Sequence, residues 1–268
     1  MISQIVARKN LSEQQIKLEI RIPEAGIRPQ PGQYMILRMN AGEAGITLPV
    51  VSVDSSRETL TVIASSLPER FAGLLNPCVF GNQVDLAGPY GQAFRIEKYD
   101  SVLCVLDREC LIPAYSVLSA LRKAGNQVTT LLTEPAGAES VVENEIRNLS
   151  DDLITGTHSI RQTIERIRIN RKINQVIVIG SAPTIRDTWS AFRSGHELVQ
   201  AILFLNDQNQ KGLHGIFRVS VCGSSRSICV DGPNFNAYYA DFEELIRRFD
   251  NCRTSIAIQS KEKLSIQA

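Results

Sequence analysis

The chain carries no excess of either charge, since 29 basic and 28 acidic residues leave a formal +1 over 268 positions. That balance lacks the basic footprint of a nucleic-acid binder or of a protein drawn to anionic membranes. No basic stripe with interleaved aromatics takes its place. Long apolar runs are missing too: no stretch approaches the ~20 apolar residues of a membrane span. The opening Met1-Ile2-Ser3-Gln4-Ile5-Val6 lacks the positively charged start and long apolar run of a secretory leader. The expectation is a soluble, cytoplasmic protein with no nucleic-acid or membrane partner. Histidine is scarce, and the six cysteines, Cys78, Cys104, Cys110, Cys222, Cys229 and Cys252, form no C-x-x-C pair. Their scatter fits reduced thiols, with Cys78 and Cys104 read as small buried apolar residues and Cys110 as a buried, inert thiol. No Ser-His-Asp, metalloprotease or P-loop pattern occurs. His158 and His196 read as surface or helix-end residues with no acid or nucleophile beside them.

The first hundred residues alternate with period two or run apolar between Gly, Pro and Asn breaks. That pattern predicts strands near Gln4–Lys9, Ile16–Ile22, Gln33–Met39, Pro49–Asp54, Thr59–Ala64 and Gln83–Ala87, with one short helix about Glu69–Leu75. Six short strands at regular spacing argue for a small antiparallel barrel. From Ser101 the period changes. Strands at Val102–Leu106, Gln127–Leu132, Ile154, Gln175–Gly180 and Val199–Leu205 alternate with helices at Ile112–Ala124, Ala138–Leu149, Ser159–Arg171 and Pro183–Arg193. This is the pattern of a doubly wound parallel sheet. A hairpin, Ile216–Val221 and Ser225–Val230 with Cys222 in its turn, and a helix about Tyr239–Phe249 follow. The fold class expected is therefore a six-stranded antiparallel β barrel, an α/β unit with a doubly wound parallel sheet, and a C-terminal hairpin.

Several segments are specific enough to compare with known proteins. Pro31-Gly32-Gln33-Tyr34 looks like a P-G-Q-F entry to a barrel strand, and Gly88-Pro89-Tyr90-Gly91 like a G-P-x-G barrel exit. Val178-Ile179-Gly180-Ser181-Ala182-Pro183 looks like an I-G-P turn after a late strand. Cys229-Val230-Asp231-Gly232-Pro233-Asn234-Phe235 matches the end of an iron–sulfur segment, C-V-D-G-P-x-F. Together these resemble the ferredoxin–NADP reductase superfamily. The nearest branch is that of the dihydroorotate dehydrogenase electron-transfer subunit and the small subunit of NADH-dependent ferredoxin:NADP oxidoreductase. The resemblance covers nearly the whole chain. It implies an FAD-binding-type barrel over 1–98, an NAD(P)-binding-type α/β domain over 99–206 and a cluster-type segment over 207–268.

Departures from that pattern fall at every cofactor site. The family's iron–sulfur frame reads Asp or Cys, Cys, Cys-Arg-Val and the final Cys, whereas here Asn209, His214 and Phe217-Arg218-Val219 precede Cys229. A [2Fe–2S] cluster wants four anionic ligands, normally thiolates, so it is not expected. A rearranged metal site on His214, Cys222 and Cys229 stays as an alternative. For FAD the family uses R-x-P-[LFI]-[ST], and the matching Thr47-Leu48-Pro49-Val50-Val51 lacks both the guanidinium and the hydroxyl; Ser52, one place on, should face the other side. The family's phosphate-binding G-x-x-[ST] reads Pro68-Glu69-Arg70-Phe71. Its glycine-rich nicotinamide turn reads Leu106-Asp107-Arg108-Glu109-Cys110-Leu111-Ile112-Pro113, with two acids where an anionic ligand would come close, so NAD(P) is not expected.

Departures at three independent sites imply a reductase-like subunit of a multi-subunit oxidoreductase with a structural or regulatory docking role. Its partner would be a larger flavoprotein or iron–sulfur subunit, met through Leu213, His214, Ile216, Phe217, Asp231 and Phe235. An electron-transfer flavoprotein holding FAD atypically through Tyr34, Pro49, Val50, Val51, Gly88 and Gly91 is the first alternative. A Cys/His metal or redox-sensing module is the second.

Overall fold

The computed structural model describes residues 2–12, 15–22, 28–40, 43, 45–65, 71, 83–133, 141–155, 159–193, 198–203, 218–228 and 231–248. Six strands, β1 (Ile2–Asn10), β2 (Gln15–Arg21), β3 (Tyr34–Arg38), β4 (Ile46–Asp54), β5 (Thr59–Ser65) and β6 (Gln83–Tyr90), close into a barrel in the order β1-β2-β5-β4-β3-β6. Alternation decides what points inward: on β2, Ile16, Leu18 and Ile20 are buried while their neighbours are partly exposed. They meet Met35, Leu37, Leu60, Val62 and Leu86 from the other strands. β4 starts earlier than its sequence pattern predicts because Ile46 to Pro49 pair with Leu37 to Tyr34 of β3. The helix expected over Glu69–Leu75 lies outside the described residues, except for the buried Phe71.

Beyond the barrel come β7 (Ser101–Leu106), α1 (Leu111–Lys123), β8 (Gln127–Leu132), α2 (Val141–Asn148), β9 (Asp152–Ile154), α3 (Ile160–Asn170), β10 (Gln175–Gly180), α4 (Ala182–Phe192) and β11 (Leu198–Leu203). Neighbours among these five strands all pair in parallel. β10 is buried along its whole length, as a strand covered on both faces must be. A short antiparallel strand, β14 (Asn234–Asn236), caps the edge at β11, giving the order β14-β11-β10-β7-β8-β9. β12 (Arg218–Val221) and β13 (Ser224–Ser227) form the expected hairpin, and β15 (Ala240–Asp241) adds to β12. Its two-residue turn, Cys222-Gly223, has positive φ at both positions, 49° and 76°; that geometry matches the twist of the flanking strands. Among the described residues the helix expected over Tyr239–Phe249, α5, covers 242–248 and so begins later than Tyr239; Phe249 lies outside them. The Asp241 carboxylate accepts from the Glu244 amide at 2.9 Å and so caps the helix there, while Ala240 and Asp241 are taken into the sheet.

One of the three apolar clusters is shared by barrel and sheet. On β4 the pairing with β5 shifts between Val50 and Ser52, so Val51 is an extra, bulged residue. Val50 points into the barrel, and Val51 joins Ile63, Phe94, Cys110, Leu111 and Ile112 between barrel and α1. Asn126 fixes the connecting segment: it accepts from the Tyr99 amide at 2.6 Å and donates to the carbonyls of Glu97 at 2.9 Å and Leu121 at 3.0 Å. Asn174 adds a bond to the Tyr99 carbonyl at 2.7 Å.

Two predictions follow from this packing. Asn126→Ala removes the side-chain partner of the Tyr99 amide and of the Glu97 carbonyl, while the Leu121 carbonyl keeps the backbone amide of residue 126 at 3.2 Å; it is expected to cost about 2–3 kcal/mol, seen as a lower urea midpoint at unchanged m-value. Burial pushes the Cys104 thiol on β7 from 9.0 up to about 12. The folded state thus holds its proton more tightly than the unfolded chain. That contribution is complete below the unfolded value and is lost as pH rises through the folded one. Urea titrations across the alkaline range should show the decline, and Cys104→Ala, less stable at neutral pH, should show a shallower one.

Candidate functional site

In the order β14-β11-β10-β7-β8-β9 the chain leaves β7 in one direction and returns on its other side at β10. Such a switch point leaves a crevice outside the carboxyl ends of the strands, where open α/β sheets take their ligands. Here the first residue beyond β7 is Asp107. Its amide donates to the Ile179 carbonyl at 3.1 Å, which seats it between β7 and β10. The carboxylate then reaches across to the start of α4. Oδ2 accepts from the Ser181 amide at 2.7 Å, and Oδ1 from the hydroxyls of Thr184 at 2.7 Å and Thr133 at 2.8 Å. Ser181 is the N-cap of α4, where unpaired amides and the helix dipole favour an anion. The carboxylate of Asp107, in the turn that sequence analysis compares with a nicotinamide turn, therefore lies against the start of α4.

Arg108 turns the other way. With Glu109 and Cys110 it forms a single 3-10 turn, and its Nη1 pairs with the Glu143 carboxylate in the first turn of α2. Glu143 is 2% exposed. The Arg108 Nε and Nη2 are buried and have no hydrogen-bond partner among the described residues. Glu109 is exposed and Cys110 is buried, as expected of an inert thiol. Asp107 and Arg108 thus tie the β7 exit to α4 on one side and to α2 on the other.

Of the six residues considered for FAD, Tyr34, Pro49, Gly88 and Gly91 adjoin: Tyr34 pairs with Pro49, and a Cβ added at Gly88 or Gly91 would lie 3.2 Å from the Tyr34 carbonyl or 3.1 Å from its ring. Val50 is inside the barrel, and Val51 lies in the core between barrel and α1. Ser52 is exposed and so is Thr47, at the place of the family's arginine. Gly88 and Gly91 have positive φ, and their surroundings are tight: an added Cβ at Gly88 would lie 3.0 Å from the Met35 sulfur, and at Gly91 2.9 Å from Pro233 Cδ. Tyr34 and Pro49 remain half-buried, and the Tyr34 ring packs against Tyr90 at 6.0 Å. This face offers apolar and aromatic surface, and none of the six bears a charge to meet a pyrophosphate. Pro68, Glu69 and Arg70 lie outside the described residues.

Of the metal candidates, His214 and Cys229 lie outside the described residues, and Cys222 is exposed in the hairpin turn with its amide donating to the Tyr239 carbonyl at 2.9 Å. Among the described residues no three His, Cys, Asp or Glu side chains converge on a metal position. Within the cluster-type segment Cys222 is the one thiol among the described residues; Cys229 and Cys252 lie outside them. Of the docking candidates, Leu213, His214, Ile216 and Phe217 also lie outside the described residues. Asp231 accepts from the Ser227 amide at 2.7 Å and closes the bend after β13. Phe235 is 7% exposed and belongs to the core beneath α4, so it supports this segment from within rather than presenting a surface.

Sequence reasoning noticed Asp107 as an obstacle but missed its partners. A signal existed in Gly180-Ser181-Ala182-Pro183-Thr184, a glycine and a hydroxyl-bearing helix start opposite an acidic strand end. It also missed that Gly232 meets the barrel exit, where its carbonyl accepts from the Gln92 amide at 2.6 Å.

No protein-family model matches the chain. A Thermotoga maritima protein named dihydroorotate dehydrogenase B (NAD(+)), electron transfer subunit homolog, is 25% identical over 277 aligned positions, covering 99% of this chain and 95% of that one. Among solved structures, one of NADH-dependent reduced ferredoxin–NADP oxidoreductase, a flavin-based electron-bifurcating system, superposes with a TM-score of 0.75 at 23% identity over 98% of both chains. A ferredoxin–NADP+ reductase from Neisseria gonorrhoeae with bound FAD and NADP gives 0.54 at 15% identity over 75% of this chain and 98% of that one. The chain has the ferredoxin–NADP reductase-like fold, and its relatives include electron-transfer subunits of oxidoreductases.

The Arg108–Glu143 pair is open to a double-mutant test. Arg108→Met leaves a buried carboxylate without this cation and is expected to cost about 3–5 kcal/mol. Arg108→Met with Glu143→Leu should recover most of that loss, because two apolar side chains replace a desolvated pair. Urea unfolding of the single and double variants reads the difference.

Proposed function

We propose that this chain is a subunit of a multi-subunit oxidoreductase that keeps the reductase shape to dock onto a larger flavoprotein or iron–sulfur subunit, and that it transfers no hydride in its own nicotinamide crevice. The observation that carries the reading is the Asp107 carboxylate on the start of α4. A dinucleotide would bring its phosphates to such a helix start, and there they would meet a fixed negative charge with its hydrogen bonds already made. The name of the T. maritima relative supports the assignment to an electron-transfer assembly. The cluster-type segment, Gly212–Asn236, is the surface assigned to docking; its described part turns Cys222, Gly223 and residues 224–226 outward, with Tyr239 beside them at 59% exposure.

The test uses the full chain purified under mild conditions from its native source. A larger redox subunit should copurify, the isolated chain should be colourless, and NADH should show no saturable binding up to ~1 mM, the top of the usual range for enzyme substrates. Saturable NADH binding overturns the closed crevice. Stoichiometric flavin absorbance in the isolated chain overturns the cofactor-poor reading in favour of the FAD alternative. A monomer that recruits no partner overturns the docking role.

A further inference from the structure

We propose that the docking surface extends from the hairpin across α5, α4 and α3, and that it takes an acidic face of the larger redox subunit. The inference rests on the docking reading and adds the extent of the surface and the chemistry of the partner that covers it.

The two faces of the six-stranded sheet are covered differently. On one, α1, α2 and the barrel share an apolar cluster; on the other, α3, α4, the hairpin and α5 share a second, through Ile167, Phe192, Val219 and Leu245. Polar contacts link the members of this second layer in turn. Arg168 of α3 donates to the Ala191 carbonyl of α4 at 3.1 Å, Arg186 of α4 lies 3.8 Å from the Glu243 carboxylate of α5, and Arg248 of α5 donates to the Arg218 carbonyl of β12 at 3.3 Å. One continuous layer therefore runs from the docking hairpin to α3.

Its charge is unbalanced. Residues 159–193, 218–228 and 231–248 carry eleven basic and six acidic side chains, a net +5 in a chain whose total is +1, so the remaining residues carry −4. All six acids are engaged: Glu165 with Arg161, Asp187 and Glu243 with Arg186, Glu244 with Arg248, Asp231 with the Ser227 amide and Asp241 with the Glu244 amide. Five of the bases, Arg166, Lys172, Arg193, Arg226 and Arg247, are exposed and form no ion pair among the described residues. Uncompensated charge of one sign is what a partner of the opposite sign complements, setting encounter rate and specificity. Anchors of protein interfaces accompany the cations: Trp189 is partly buried with the Arg193 guanidinium 5.3 Å from its ring centre, Tyr239 is exposed beside the hairpin turn, and Ile169, one turn along α3 from Arg166, is 83% exposed. A protein face fits this surface better than nucleic acid or an anionic membrane does, because Asp187, Glu243 and Glu244 stand among the cations and would repel a continuous array of phosphates.

Re-association of the full chain with the subunit that copurifies with it tests this. The combined variant Arg166→Glu, Lys172→Glu, Arg247→Glu breaks no ion pair, so its urea midpoint should match that of the wild type. At ~20 mM salt it should associate about 10-fold or more slowly than the wild type, and at ~0.5 M salt the gap should close to about twofold, since screened charges no longer steer the encounter. The corresponding Gln variant, with half the change of charge, is measured alongside and carries the same expectation on a smaller scale if the Glu variant does not fold. Lys9→Glu, Arg21→Glu, Lys123→Glu, which alters net charge equally on the barrel and α1, should slow association by less than about threefold. Equal slowing by the two Glu variants, or a loss that salt does not change, overturns the proposal. So does tighter binding of the wild type to duplex DNA or to phosphatidylserine vesicles than to the subunit. The two readings fail separately: a chain that recruits no subunit refutes the docking role and this inference with it. If Tyr239→Ala weakens the complex while reversal of Arg166, Lys172 and Arg247 does not, only the acidic partner face is refuted.

Discussion

A carboxylate drawn out of bulk water must be met by donors, and helix starts hold amides that no other part of the helix can satisfy. At the carboxyl edge of the six-stranded sheet these two requirements solve each other. Asp107 leaves β7 facing the first turn of α4, and the Ser181 amide and the hydroxyls of Thr184 and Thr133 close around it. Because those donors belong to β8, β10 and α4, one side chain fixes the relative positions of three elements at the place where the sheet reverses its order. The adjacent Arg108 extends the tie to α2 through Glu143.

Internal contacts also join the sheet to the barrel. The bulge at Val51 turns that side chain away from the barrel interior and into the layer formed by Ile63, Phe94, Leu111 and Ile112, so that barrel and α1 share buried apolar surface. Buried surface of that kind opposes hinge motion between the two units. The Asn126 and Asn174 side chains hold the connecting segment by its backbone, which removes a second source of freedom. A hydride-transferring reductase must admit and release a cofactor between its units. A docking subunit gains from the opposite property, because a preordered surface loses less entropy on association.

Most elements were legible because their cause is local. Gln127–Leu132 and Gln175–Gly180 have the same bounds in sequence pattern and structure, since an apolar run between a polar start and a turn has one way to be buried. The barrel strands followed from period-two alternation. What was not legible depended on partners distant in sequence. The early start of β4 is set by pairing with β3, and the late start of α5 by β15 joining β12, with Asp241 then serving as the cap. At the site, a lone Asp107 could be seen to obstruct a ligand. That Thr133 and Thr184, 26 and 77 positions away, would turn the obstruction into a bonded ligand depended on the strand order.

The glycines and prolines that carry the family resemblance persist for reasons of packing, whatever the cofactors. A cavity costs stability in proportion to its size, and three glycines of these signatures have a side chain closed on them. Gly180 faces the Asp107 carboxylate, Gly91 faces Pro233, and Gly232 faces the Phe235 ring, where an added Cβ would come within 2.5 Å. These pairs are mutually dependent: the filler needs the missing Cβ, and the missing Cβ would leave a void without the filler. At Gly91, moreover, φ of 82° disfavours any other residue. Turn signatures such as Gly88-Pro89-Tyr90-Gly91 and Asp231-Gly232-Pro233 are thus held by steric fit between barrel exit and C-terminal segment. A resemblance built on such glycines is evidence for the fold and its internal joints. The chemistry of the chain has to be read from the side chains standing where the ligands would be.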